Sequence, residues 1–286
     1  MVKEKNLMTK ILSFLHFKQK GGVLNRYDSL ISTLDFDTRK SETHSKSIQN
    51  LISVLAPKKF TGDLMRIGNK GDGSYVIPKK ILNPNTYLIS GGIADNNEFE
   101  LELAKKGVTG MQIDNSINKP PKEHPNLGFK FATLGAKDGP DAVSLENLIS
   151  GTPTNKNLIV KLDIEGSEIR ALQHLSKKSL KRIDCLVLEL HNLSSLIQDK
   201  NILQTLVRLK NAGLSSIYLQ ANNGILDYII SGVLVPDNVE VTFVKKDKAA
   251  NPSFKDILKI KKLATKNKKQ NTLTNIDHFL FHNVKI

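Results

Sequence analysis

The feature that most limits how this chain can fold is a rhythm running from about residue 57 to residue 247. Short apolar runs alternate there with longer amphipathic stretches. The runs are YLISGG (87–92), GMQID (110–114), FKFAT (129–133), NLIVKLDI (157–164), DCLVLEL (184–190), SSIYLQA (215–221) and VEVTFV (239–244). Helix-like spacing marks residues 98–106, 144–150, 167–178 and 200–212 between them. Strands that alternate with helices predict an α/β fold built on a doubly wound, mainly parallel sheet. The last run follows the turn signal VPDN, so it is the candidate for a reversed strand.

Sheets of this kind bind ligands beyond the C-terminal ends of their strands, near the switch in strand order. The polar residues at those ends are Gly91, Gly92 and Asp95; Asp114; Asp163 and Glu165; Glu189 and His191; Asn222 and Asn223. Any one of them is explained as a helix cap or a turn residue. Five of the seven strand ends carry such groups, and together they point to a site. The first is also a glycine turn opening a helix, where backbone and free N–H groups can approach a ligand closely. Asp114 closes the next strand roughly 20 residues on, the spacing at which an acid meets the ribose of a nucleoside cofactor.

The termini read differently. Leu7, Met8, Ile11, Leu12 and Leu15 fall on one helical face, with Phe14 and Phe17 beside it and lysines on either side. Gly21-Gly22 breaks that pattern, and residues 41–56 are helical again, ending before Pro57. Residues 1–56 are therefore a basic, amphipathic helical extension, 57–247 the α/β domain and 248–286 a lysine-rich C-terminal extension. The net charge of the 286 residues is +14, and residues 245–270 hold ten lysines against Asp247 and Asp256. Such an excess suits a solvated surface, nucleic acid, an acidic substrate or an anionic membrane met peripherally. No run of about 18 apolar residues and no secretory pattern is visible, so the expected location is cytoplasmic, with peripheral membrane contact open. The single cysteine, Cys185, excludes an internal disulfide framework and reads as a buried thiol.

Two segments carry a resemblance. VKLDIEGSE (160–168) resembles the K-(I/L)-D-(I/V)-E-G-x-E signature of FkbM-like methyltransferases, and RIGNKGDGSYVIP (66–78) resembles the R-x-G-x-x-x-D-G-G-Y-V segment of one branch of that group. The turn at 90–100, LELHNL (188–193) and VEVTFVKKD (239–247) are also similar, so the resemblance spans roughly residues 60–247. It implies a class I, Rossmann-like fold with seven strands, S-adenosylmethionine as cofactor, and methyl transfer to oxygen on a sugar, glycan or small metabolite. It further implies that Gly91, Gly92, Asp95 and Asn96 lie by the methionine end of the cofactor, that Asp114 takes the ribose, and that Asp72 and Tyr75 join the cofactor side. Asp163 would sit above the sulfonium, Gly166 would allow the strand-to-helix turn, and Glu165 and Glu168 would orient neighbours or hold N–H groups. The chain departs from the pattern at Ala94 and Ser74, where the group has glycine; positive φ at either would cost about 1 kcal/mol.

A hydroxyl acceptor must be deprotonated or polarised before it attacks a methyl group. His191 is a candidate general base after the fifth strand, with Asp163 and Glu189 as its catalytic neighbours. Asp163, Glu189 and Asn222, with His191, form instead a candidate Mg²⁺ or Mn²⁺ site. Two other classes compete with O-methyl transfer. A nucleic-acid (RNA) methyltransferase fits the charge. Against it, the fourth strand end reads Leu162-Asp163-Ile164-Glu165 rather than Asn/Asp-Pro-Pro-aromatic, and tryptophan is absent. A non-catalytic α/β binding module is disfavoured by acids at successive strand ends.

Overall fold

The computed structural model describes residues 41–69, 71–193, 200–222, 227–230, 233–245 and 250–266. The amphipathic stretch at 7–17, Asn223 and residues 267–286 lie outside the described residues. All that is described belongs to one compact unit, Ser41–Ile286. Among the described residues no helix is long and apolar enough to cross a membrane.

The described residues open with helix α1 (Ser41–Leu55), followed by a hairpin of β1 (Leu64–Gly68) and β2 (Ser74–Pro78). The alternating region then gives β3 (Thr86–Gly91), α2 (Glu98–Lys105), β4 (Thr109–Asp114), β5 (Leu127–Phe131), and the short β6 (Thr133–Gly135) and β7 (Ala142–Ser144). Next come α3 (Leu145–Ser150), β8 (Asn157–Leu162), α4 (Glu168–Gln173), α5 (Lys177–Arg182) and β9 (Cys185–Leu190). The chain continues through α6 (Lys200–Asn211), β10 (Leu214–Ala221), a hairpin of β11 (Asp227–Ile230) and β12 (Val233–Pro236), β13 (Val239–Lys245) and α7 (Phe254–Lys262).

Seven strands form the main sheet in the order β10-β13-β9-β8-β3-β4-β5. β13 runs antiparallel to both of its neighbours, while the pairs among β9, β8, β3, β4 and β5 are parallel. Each of the seven predicted runs becomes one of these strands. The order, with the reversed last strand inserted between the fifth and sixth, is the Rossmann-like arrangement of class I methyltransferases. The chain reverses its direction of travel across the sheet between β3 and β8, and there a cleft opens at the strand ends.

The central strands are buried on both faces, which is why they read as near-continuous apolar runs. Period-2 alternation sorts their side chains. Leu158, Val160, Leu186, Leu188 and Leu190 face the layer that contains α1 and α3–α6, whereas Ile159, Cys185 and Val187 face α2 and the β1–β2 hairpin. α1 and α7, drawn from the two terminal extensions of the sequence reading, place Ile48, Leu51, Leu55, Ile257 and Ile260 in the same core.

The predicted helix over 167–178 is two helices. Ser176 ends the continuity because its hydroxyl accepts the N–H of Ser179 as an N-cap and donates to Glu146. The carbonyls of Gln173 and Leu175, freed at the break, accept the Arg208 guanidinium. Arg66 on β1 is a second clasp. It donates to Tyr218 Oη (2.6 Å) and Gln220 Oε1 (2.9 Å) on β10, pairs with Glu240 on β13 (3.3 Å), and reaches the Leu263 carbonyl beyond α7 (2.9 Å). The hairpin is thereby fixed over the reversed end of the sheet, with Tyr75 pointing toward the strand ends.

Candidate active site at the strand ends

The cleft has a volume of about 560 Å³, within the range of small-ligand sites. Its floor is the turn after β3. Gly92 has φ +75°, and a Cβ placed there would lie 1.7 Å from the Asp163 carbonyl oxygen, so only glycine lets the ends of β3 and β8 come this close. A Cβ on Gly91 would lie 2.3 Å from Leu134 Cδ2. Ala94 does take a left-handed φ, +39°, and so carries the strain foreseen from the sequence; Ser74 does not, because it opens β2.

Asp114 offsets that strain. Its Oδ2 accepts the N–H groups of Ile93 (2.8 Å) and Ala94 (2.9 Å), and its Oδ1 accepts the N–H and hydroxyl of Ser116 (2.7 and 2.6 Å). Burial raises the Asp114 carboxyl, but these hydrogen bonds outweigh it and hold the group below its ordinary value. Four donors fill the acceptor capacity of a carboxylate. A ribose arriving at Asp114 would therefore take the place of the Ser116 hydroxyl. At the rim, the Asn96 amide donates to the Asp72 carbonyl (3.2 Å), tying the hairpin turn to the start of α2.

The chemistry-bearing side chains gather at the ends of β8 and β9. Strand parity sends Lys161, Asp163, Glu189 and His191 to the face that carries Tyr75. Tyr75 donates its hydroxyl to Asp163 Oδ2 at 2.5 Å, and Lys161 stands 3.5 Å from the same oxygen. Burial, and then the charges of Asp163 and Glu189, push the Tyr75 phenol well above its ordinary value, so it stays a neutral donor. His191 Nε2 lies 3.5 Å from Glu165 Oε2 and 3.9 Å from both Asp163 Oδ1 and Glu189 Oε1. Its other nitrogen, Nδ1, is 3.0 Å from Glu168 Oε1. That oxygen also accepts the N–H groups of Ile164 (2.9 Å) and Gly166 (3.1 Å), so the ring proton is on Nδ1 and the ring donates. Burial lowers the imidazole pKa, but the Glu168 hydrogen bond and charge, then Glu189 and Asp163, raise it by more. The Glu189 carboxyl is raised by burial first and by Asp163 and Glu240 next, with Asn222, which donates to it at 2.7 Å, opposing.

Of the residues singled out from the sequence, Asp72, Tyr75, Gly92, Asp95, Asn96, Asp114, Asp163, Glu189, His191 and Asn222 line the cleft, and Gly91 lies behind its wall. Asn222 engages Glu189 through its amide nitrogen at 2.7 Å, turning a donor rather than its oxygen to the cluster, and His191 Nε2 lies 3.9 Å from both acids. Two further residues were missed. Lys161 is buried, donates to the Gly92 carbonyl and lies over the Tyr75 ring at 5.3 Å. A lysine inside an otherwise apolar, doubly buried strand was the available signal. Glu100, buried on α2, accepts from Ser90 at 2.5 Å; burial raises its carboxyl despite the opposing Lys161 charge. An acid in the first turn of a helix reads simply as a dipole partner, so nothing in the sequence flagged it.

The sequence matches no protein-family model, and no curated protein matches it. Among solved structures the chain is similar to a fibrillarin/Nop5p complex, with 7% identity, 57% of this chain and 74% of that chain covered, and a TM-score of 0.35. It is similar to a protein from Listeria monocytogenes assigned as an S-adenosylmethionine-dependent methyltransferase, with 9% identity, 58% and 93% coverage, and a TM-score of 0.35. A protein from Klebsiella pneumoniae assigned as an O-methyltransferase shows 6% identity, 78% and 97% coverage, and a TM-score of 0.28. The strand order itself, rather than these distant likenesses, carries the fold assignment.

Proposed function

We propose that this chain is an S-adenosylmethionine-dependent methyltransferase of the FkbM-like kind, acting on a hydroxyl oxygen of a sugar, a glycan or a small metabolite. The observation that carries the reading is the joining, in one cleft, of a nucleoside-type cradle (Gly92, Asp114) to a cluster of acids and an imidazole (Asp163, Glu189, His191). The cradle fits the cofactor: backbone comes close where Gly92 has no side chain, and Asp114 can accept a ribose hydroxyl in exchange for the Ser116 hydroxyl. The cofactor would supply a methyl group already activated on a sulfonium sulfur. What remains for the protein is alignment of the acceptor and removal of one proton.

Tyr75 and Lys161 fix Asp163 through Oδ2, which leaves Oδ1 turned toward His191 and the acceptor. With the methyl group supplied by the cofactor's sulfonium, Asp163 Oδ1 and the neighbouring Glu189 and His191 would align the acceptor hydroxyl and take up the proton it loses. Calorimetry tests the reading: the wild type binds S-adenosylmethionine or its demethylated product in the micromolar range, and no binding would refute it. Asp163→Asn keeps that binding but lowers methyl transfer by about a hundredfold, roughly 3 kcal/mol, when product release is followed across a panel of sugar and small hydroxyl acceptors.

A further inference from the structure

We infer that Asp163, Glu189 and His191 form a binding site for a divalent cation of the Mn²⁺ class. One ligand atom from each lies within 4.8 Å of the others, and His191 Nε2 is 3.9 Å from both Asp163 Oδ1 and Glu189 Oε1. An ion equidistant from three atoms so spaced lies roughly 2.3–2.5 Å from each, within a few tenths of an ångström of a coordination shell.

The orientation of the imidazole is an independent observation. Its ring is nine-tenths buried, with 9% of the side chain exposed, and Glu168 holds Nδ1–H at 3.0 Å. Glu168 is itself fixed by two backbone N–H groups, so Nε2 is aimed between the two carboxylates, where a bound cation would displace the proton it carries. A carboxylate behind a histidine in this way is how metal-ligating imidazoles are held. Charge points the same way. Among the described residues, the ion-pair partner of the Glu189 side chain, 6% exposed, is His191 alone, and Lys161 serves Asp163 through its other oxygen. Glu165, 88% exposed at the mouth, adds negative charge beside the same nitrogen.

Two carboxylates and an imidazole are hard-to-borderline donors. They suit Mn²⁺ better than Mg²⁺, which prefers oxygen and strict octahedral geometry. The use of the ion rests on the methyl-transfer reading: it would hold the acceptor oxygen and stabilise its alkoxide. Its binding does not rest on that reading.

The test is electron paramagnetic resonance of Mn²⁺ titrated into chelator-treated protein, since bound ion loses the sharp signal of the free ion. One ion per chain is expected, with affinity at least tenfold weaker in Glu189→Gln and in Asp163→Asn, and weaker also in Glu168→Gln through its hold on the imidazole. Glu98→Gln, on a surface pair with Lys122, leaves it unchanged. Should Glu189→Gln fail to fold, Asp163→Asn decides. No attenuation in the wild type, or equal binding by folded Asp163→Asn, overturns the site. Attenuation without calorimetric binding of S-adenosylmethionine would leave the ion site standing and refute the methyltransferase reading; the reverse pair of results would do the opposite.

Discussion

Replacing Glu168 by glutamine is the sharpest test of how the turn beneath the cluster is held. Its Oε1 takes three donors, the N–H groups of Ile164 and Gly166 and Nδ1–H of His191, at 2.9, 3.1 and 3.0 Å. The side chain is 2% exposed, so water cannot replace any of them. The turn it holds contains two successive left-handed residues, Glu165 at φ +53° and Gly166 at φ +94°, and the first of these is strained. Glutamine keeps the shape and one acceptor oxygen but loses the charge. Hydrogen bonds to a charged acceptor are worth roughly twice those to a neutral one, so about 1 kcal/mol is lost per bond and about 3 kcal/mol in all. For a domain of this size that corresponds to a fall in Tm of roughly 6–12 °C. The chain has no tryptophan, so urea unfolding is best followed by circular dichroism, with chelator present to remove stabilisation by bound ions. A Glu168→Gln protein within 0.5 kcal/mol of wild type at unchanged m-value would refute the claim that this carboxylate holds the turn.

Gly92→Ala should lower stability by about 2–4 kcal/mol, from positive φ and from the overlap with the Asp163 carbonyl that forces β3 and β8 apart, read as a shift in the urea midpoint; a midpoint equal to wild type would show that the turn yields freely. Cys185 is fully buried, and burial pushes its thiol well above the ordinary range. A maleimide should therefore label it only as fast as the protein unfolds, and complete labelling of native protein within minutes would contradict that burial.

The fold was legible because its signal is collective. Runs such as NLIVKLDI and DCLVLEL announce strands buried on both faces, and their spacing by helices leaves a parallel sheet as the economical answer. What escaped was set by individual tertiary contacts. Nothing local in 167–178 forbids a continuous helix; it breaks because Ser176 finds Ser179 and Glu146, and because Arg208 from α6 covers the freed carbonyls. The β1–β2 hairpin is short, and its turn is glycine-rich. Its fixed position depends on Arg66 meeting Tyr218, more than a hundred residues away in the chain.

At the site the strand-end rule located the cleft, but it could not assign tasks to residues of the same type. Glu165 and Glu168 stand three apart in one motif, both adjacent in sequence to the same turn. One is an exposed carboxylate at the mouth, and the other is buried and holds two backbone N–H groups and an imidazole. The difference is made by the left-handed turn at Glu165-Gly166, which reverses the chain direction between them. The same limit applies to Asp114. Its spacing from the glycine turn predicts an acid that meets a ribose, yet in the folded chain it holds the N–H groups of Ile93 and Ala94. An alanine at positive φ, where a glycine would be at ease, needs that anchor, so the departure at Ala94 and the saturation of Asp114 are two sides of one physical arrangement.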